Sequence, residues 1–279
     1  MASYYCLMAG LPELSLTSQT PVMTVRQFKE QLNEVLSDSD RALLHYYFLQ
    51  YDCRNLLALL KNPEAETNQK GDFTHEQYVD LITSAREMNF NVHRFPSFMS
   101  EFARNYSFNK DKEGYFPDDA LGFAYLTYAM QCPNRIMREW YRRMLHVTNI
   151  LTALIARKNG WSVADYIQGD NEVNEMIREN NTHDFGLKHE YDYMVDLMKI
   201  VDVDDPVEKE RKLDALKWMW LDEIEEKDIF SIEAVFVYLV KLEILERWSV
   251  LDVENGKRIF REIIENLRGE ARVPDEFKK

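Results

Sequence analysis

Glycine and proline are scarce in this chain, nine and eight among 279 residues, and between them apolar residues recur at intervals of three and four rather than two. That period lines one stripe of a helix but scatters over both faces of a strand, so such segments bury themselves well only as helices. The sequence therefore predicts an all-α fold, a multi-helix array of about ten helices. The spans lie near 25–36, 39–60, 75–89, 96–106, 117–131, 134–158, 162–180, 188–201, 206–227, 231–249 and 253–268, with some broken or fused. Thr24 with Gln27 and Thr74 with Gln77 have capping-box spacing, and Ser37 with Asp40 has it with a shorter carboxylate. Pro96 and Pro206 stand where a first helical residue belongs, and Ser231 can cap the helix after it. Gly160, Gly169 and Gly269 come just beyond helical patterns and read as stops. Polar loops are expected near Asn62 to Asp72 and Asn105 to Pro117. Ser3 to Leu16 is the one segment expected to be extended, because Tyr, Cys and Leu suit a strand and Gly10 with Pro12 suits a turn.

The length accommodates a single helical domain over 1–279, with internal units near 1–130 and 131–279. A shift of 94 residues supports two or three related units: it lays Tyr46-Tyr47 on Trp140-Tyr141 and Asn55-Leu56-Leu57-Ala58-Leu59-Leu60 on Asn149-Ile150-Leu151-Thr152-Ala153-Leu154. The shared pattern is an aromatic pair, then an Asn opening an aliphatic run. Asn55 and Asn149 are expected to satisfy helix carbonyls inside the fold rather than touch a partner. The segment 231–249 is apolar around more than half its circumference, which makes it the central helix of the C-terminal half.

Asn134 to Gly160 carries an apolar arc of Ile136, Met137, Trp140, Met144, Val147, Leu151, Leu154 and Ile155. Roughly opposite lie Arg135, Arg138, Arg142, His146, Asn149 and Arg157, a basic stripe on a chain of formal net charge −14. Either the chain's own carboxylates face this stripe, or Arg135, Arg138 and Arg142 form a docking surface for another protein.

The acidic balance, 48 Asp and Glu against 34 Lys and Arg, opposes nucleic acid or an anionic lipid surface as a partner. Three widely spaced cysteines, Cys6, Cys53 and Cys132, make neither a disulfide framework nor a metal pair and suit a reducing cytosol. Residues 2–12 lack a basic n-region, and the longest later uncharged run, Ala120 to Asn134, is too short to span a bilayer. No direct membrane insertion is expected. Gly256-Lys257 has Leu251 where a P-loop needs its first glycine, so no nucleotide site is expected there. Asp72 with His75, and His183 and His189 near Asp184 and Glu190, read as polar surface rather than metal ligands. The run Asp204-Asp205-Pro206-Val207-Glu208 resembles the aspartate-rich motif of helical prenyl synthases. Pro206, however, puts the aspartates at a helix start, where the dipole favours carboxylates, and Val235 occupies the distal acid position of a second motif after Asp228 and Ser231. No catalytic, cofactor-binding or metal residues are assigned, and the chain is not expected to be an enzyme.

Tyr4-Tyr5-Cys6-Leu7-Met8-Ala9-Gly10-Leu11-Pro12-Glu13-Leu14 and Tyr51-Asp52-Cys53-Arg54-Asn55-Leu56-Leu57 resemble an uncharacterised bacterial family found with the genes of V/A-type ATP synthases. More distantly, the chain is similar to the central-stalk connector of those rotary ATPases, an all-helical funnel of related units. The similarity rests on Tyr238, Lys241, Glu243 and Arg247, on the amphipathic helix ending near Leu267, and on the Asn55 and Asn149 runs. The resemblance implies a noncatalytic connector that links the central shaft to the membrane rotor ring. Its partners would be other ATPase subunits, and its place the cytoplasmic side of the inner membrane, reached through the complex. A generic helical interaction scaffold is the alternative, and a helical prenyl-transfer-like enzyme the third reading.

Overall fold

The computed structural model describes residues 4–16, 21–87, 94–225 and 229–270, with side chains described through residue 251 save 225. Among the described residues there are twelve α-helices and no strand: α1 (Tyr5–Gly10), α2 (Val25–Val35), α3 (Asp38–Lys61), α4 (His75–Arg86), α5 (Ser97–Asn109), α6 (Pro117–Ala129), α7 (Arg135–Lys158), α8 (Val163–Tyr166), α9 (Glu172–Glu179), α10 (Met194–Val201), α11 (Pro206–Glu225) and α12 (Ile232–Glu270). The all-α expectation holds. Both capping boxes form, at Thr24 with Gln27 and Thr74 with Gln77. Ser37 caps α3 through the Asp40 amide, and Ser231 accepts from the Ala234 amide at the start of α12.

The long helices α3 and α7 carry the short ones. Helices α4 and α5 pack on α3, while α8, α9 and α10 pack on α7, and α6 lies between α3 and α7. The closing pair α11–α12 packs together, and α12 also meets α2 and α7. One large core runs from α2 and the first half of α3 through α7 to α12. A second forms from Leu49, Leu56, Tyr78, Leu81, Met99 and their neighbours, beneath α4 and α5. The expected centrality of 231–249 is met: Val235, Phe236, Val237, Leu239 and Leu242 have no exposed surface. Each such side chain contributes about 1.5–3 kcal/mol of burial before entropy is counted.

Four expectations are corrected. The N-terminal segment is helical rather than extended over Tyr5–Gly10, with Tyr4 docked through its amide on the Phe230 carbonyl and through its hydroxyl on Asp40, and its backbone turns extended only at Leu11. Among the described residues there is no strand to pair with it; Ser3 lies outside the described residues. The span 162–180 is broken into α8 and α9 at Gly169, whose φ of +84° no helix accepts. The span 188–201 begins as a separate 3₁₀ turn, Leu187–His189, after Gly186 at φ +73°. The spans 231–249 and 253–268 are one helix, since no glycine or proline falls between 231 and 255 and the Ser249 hydroxyl bonds back to the Glu246 carbonyl within the ladder. Gly269 therefore falls in the last turn of α12. Pro96 caps α5 from one residue before its start, and Pro206 opens α11 as expected.

Candidate partner-binding cleft

Helix α7 is wedged between α6 and the α8–α10 group, so it is buried on more of its circumference than one arc. Tyr141 and Leu145 are buried beside the expected Met137, Trp140, Val147 and Leu154, whereas Ile155 is 36% exposed. Asn149, placed with the basic stripe by the wheel, is in fact buried. The stripe itself divides. Arg138 turns away to donate to the carbonyls of Cys132, at 2.9 Å, and Pro133. Arg157 lies 3.6 Å over the Phe185 ring and donates to the Thr182 carbonyl. Arg135 and Arg142 remain together, exposed, on the edge of an open cleft of about 880 Å³. Arg142 pairs with Glu139 one turn back, and Arg135 has no ion-pair partner among the described residues. Of the three arginines singled out in the sequence, two share this cleft and the third braces a loop.

The cleft's other side comes from three separate elements: Glu172 at the start of α9, Glu190 to Tyr193 before α10, and Glu223 with Ile224 near the end of α11. Its floor is aromatic. Trp140 and Tyr193 are buried, and Arg143 stacks 4.8 Å over Trp220 and 5.8 Å over Tyr193, which ties α7 to α11. His146 also lines the cleft, edge-on to Tyr191 at 5.7 Å. Burial, then the Arg142 charge, lowers its pKa to about 4, so the ring is neutral at pH 7. Glu172, Glu190, Asp192 and Glu223 form no ion pair with the described residues. The acidic side was invisible in the sequence because its members lie on three elements.

The two Asn-led runs do the same thing. Asn55 donates to the Asn68 carbonyl at 2.9 Å and accepts from the Asn68 amide at 2.7 Å. Asn149 donates to the Gln168 carbonyl at 3.0 Å and accepts from the Gln168 amide at 2.9 Å. Each amide thus clamps both backbone groups of one residue in the loop leaving its helix. The expectation that they act inside the fold holds, but the carbonyls they satisfy belong to loops rather than helices. Three residues earlier, Asp52 is fully buried. Its Oδ1 accepts from the amides of Asp72 and Phe73 and from the Tyr78 hydroxyl at 2.5 Å. Burial raises the Asp52 pKa, opposed by the Tyr78 hydrogen bond. The same 94-residue shift lays Asp52 on His146. Asp72, expected beside His75, instead pairs with Lys29 and, at 2.5 Å, with His45. Burial pushes its carboxyl up, but His45 and Lys29 outweigh that and hold it below the usual range.

The aromatic pairs also converge. Tyr47 of α3 and Trp140 and Tyr141 of α7 all meet Phe236 of α12 edge-on, with ring centroids 5.9 to 6.2 Å away. The polar residues of α12 that carry the resemblance are engaged within the chain. Tyr238 donates to the Pro12 carbonyl, Lys241 pairs with Asp222, Glu243 accepts from Tyr47, and Arg247 pairs with Asp214. A smaller pocket of about 200 Å³ opens where α3, α7 and these residues meet. Asp205 caps α11 by accepting from the Val207 amide at 3.0 Å, as the helix-start reading requires. Asp228 lies outside the described residues. Asp184 accepts from the Thr182 hydroxyl and the Gly186 amide, which makes it a turn-former. Among the described residues no group of three or more His, Cys, Asp or Glu is placed to hold a metal ion, and no helix is long and apolar enough to cross a membrane.

The described residues thus form an all-α array around one buried helix, with an open cleft lined by charges of both signs. Residues 1–271 match a family described as "Protein of unknown function (DUF2764)", and the chain belongs to that family. Comparison with curated proteins and with solved structures gives no match.

Proposed function

We propose that this protein is a noncatalytic connector subunit of a V/A-type rotary ATPase, seated between the soluble central shaft and the membrane rotor ring. The observation that carries the reading is the repeated unit. Two long helices, each locking its following loop through one Asn amide, bring Tyr47 from α3 and Trp140 with Tyr141 from α7 against a single residue, Phe236 of α12. Such a body transmits force without yielding, because its loops are tied to its helices by buried hydrogen bonds. The sequence resemblance of α12 to the C-terminal helices of the rotary central-stalk connector is what directs the reading to this machine; the fold alone supports any helical adaptor. Arg135 and Arg142, exposed on the cleft, are the proposed partner contacts, and Arg138 is a support. The connector would sit at the cytoplasmic face of the membrane through its partners, with no inserted helix of its own.

Co-expression with the ATPase shaft and ring subunits, affinity purification and native mass spectrometry test this. The expected result is a stoichiometric complex with the shaft subunits. Arg135→Glu with Arg142→Glu should weaken that complex while leaving the melting temperature nearly unchanged, because exposed charges act mainly on association. Purification of the protein free of every ATPase subunit would exclude the reading.

A further inference from the structure

The cleft beside α7 holds opposite charges that do not meet. Arg135 and Arg142 stand on the α7 side, while Glu172, Glu190 and Glu223 stand on the other, and among the described residues no ion pair crosses between them. Arg142 reaches only to Glu139 on its own helix. Arg135 and the facing glutamates are unpaired among the described residues, and Arg142 is held only by its exposed pair with Glu139, which also lines the cleft; about 880 Å³ of open space over an aromatic floor lies between the two sides. An occupant with one sign of charge would meet like charges on one side. Only an occupant that brings carboxylates to α7 and cations to the facing glutamates complements both sides at once. The floor, with Ile136, Trp140 and Ile224, calls for an apolar face between those two charged edges. A helix supplies three such faces in parallel.

We infer that this cleft docks an amphipathic helix of a partner protein whose two polar edges carry opposite charge, acidic toward Arg135 and Arg142, basic toward Glu190 and Glu223. The inference stands on the cleft alone and is independent of which machine the protein serves. If co-expression with ATPase subunits yields no complex, the rotary reading falls and this one remains; failure of the test below leaves the rotary reading in place.

The probe is a fluorescein-labelled helical peptide of about 15 residues with a Leu face, Lys along one edge and Glu along the other, compared at physiological salt with counterparts carrying Lys on both edges or Glu on both. Fluorescence anisotropy should show the mixed-edge peptide binding at least about tenfold more tightly than either counterpart. Arg135→Glu with Arg142→Glu, and separately Glu190→Lys with Glu223→Lys, should each weaken it by about tenfold. Asp118→Lys with Asp119→Lys, on the separate groove between α6 and α8, should leave it unchanged. Circular dichroism melts of each variant establish that the fold is retained, and Arg135→Glu alone replaces the double change if that variant fails to fold. Three results would overturn the proposal. They are equal or tighter binding by the all-Lys peptide, which is mere attraction to an acidic protein; no effect of either pair of cleft substitutions; and no binding at all. A concentration-dependent dimer in sedimentation that Glu190→Lys with Glu223→Lys abolishes would overturn it too, by making a second copy of this chain the occupant.

Discussion

Asn55 and Asn149 each use both ends of one amide on one loop residue, so replacing either strands a backbone N–H and a backbone C=O together. With each stranded group costing about 1–3 kcal/mol, Asn55→Leu and Asn149→Leu should each lose about 2–4 kcal/mol of unfolding free energy in urea titrations. A loss under about 0.5 kcal/mol at either site would mean water replaces the clamp. Gly71→Ala tests the same loop, since a Cβ there would sit 2.4 Å from Asp52 Oδ1; about 1–3 kcal/mol of destabilisation is expected from overpacking. His146 sets a pH dependence. Its folded pKa of about 4 lies below the unfolded value of 6.5, so the unfolded chain takes up the proton first. The neutral ring's contribution is complete above pH 6.5 and is lost as pH falls toward 4. With the partly exposed ring discounted for solvent screening, about 1–2 kcal/mol is involved. His146→Gln should flatten the melting temperature between about pH 7 and 4.5 relative to the parent, and identical pH profiles would dismiss the histidine as the source. The Asn runs were legible because a polar residue opening an aliphatic stretch recurs. Their partners were not, because Asn68 and Gln168 contribute only backbone, which leaves no side-chain signature, and lie 13 and 19 residues downstream.

Helix starts were the most legible elements, because Thr24, Thr74 and Ser37 act on amides three residues away and such bonds need no tertiary context. Breaks and fusions were less so. The stop at Gly169 was legible from the glycine itself, but not that it divides 162–180 into two helices, which the Asn149 clamp and Phe123 packed against the glycine hold from outside the segment. The N-terminal piece, helical as α1, is docked by Tyr4, whose partners Phe230 and Asp40 lie far away in the chain. The α11–α12 pair depends on Asp214, 1% exposed, which accepts from Arg247, from Lys217 at 3.1 Å and from the Trp248 indole at 2.9 Å. Asp214→Ala removes the acceptor of Lys217 and the Trp248 indole and leaves Arg247 only its 3.4 Å pair with Glu210, so a cost of about 2–4 kcal/mol is expected, below the fully buried case because Arg247 is 43% exposed. Hydrogen exchange should show α11 losing protection before α7 does. Uniform loss across the molecule would mean the pair has no stability of its own to lose.

At the level of the whole molecule, Phe236 is the point where α3, α7 and α12 share contacts, so its removal loosens both units together. Phe236→Ala should cost about 3–5 kcal/mol and keep one thermal transition; two separated transitions would show the halves to be thermodynamically independent. The fold class was legible because it rests on periodicity summed over the chain. The acidic side of the cleft was not, since its glutamates are gathered from three elements by packing alone. Helix α12 starts as a wall of the core, is exposed at Val250 (53%) and Leu251 (38%), and runs on without a break to Glu270. At about 1.5 Å per residue, its 39 residues reach roughly 58 Å. A helix of that length bends only gently. With its buried stretch held among Tyr47, Trp140 and Tyr141, a sideways push at its far end would arrive at Phe236 as a turning moment shared by α3 and α7.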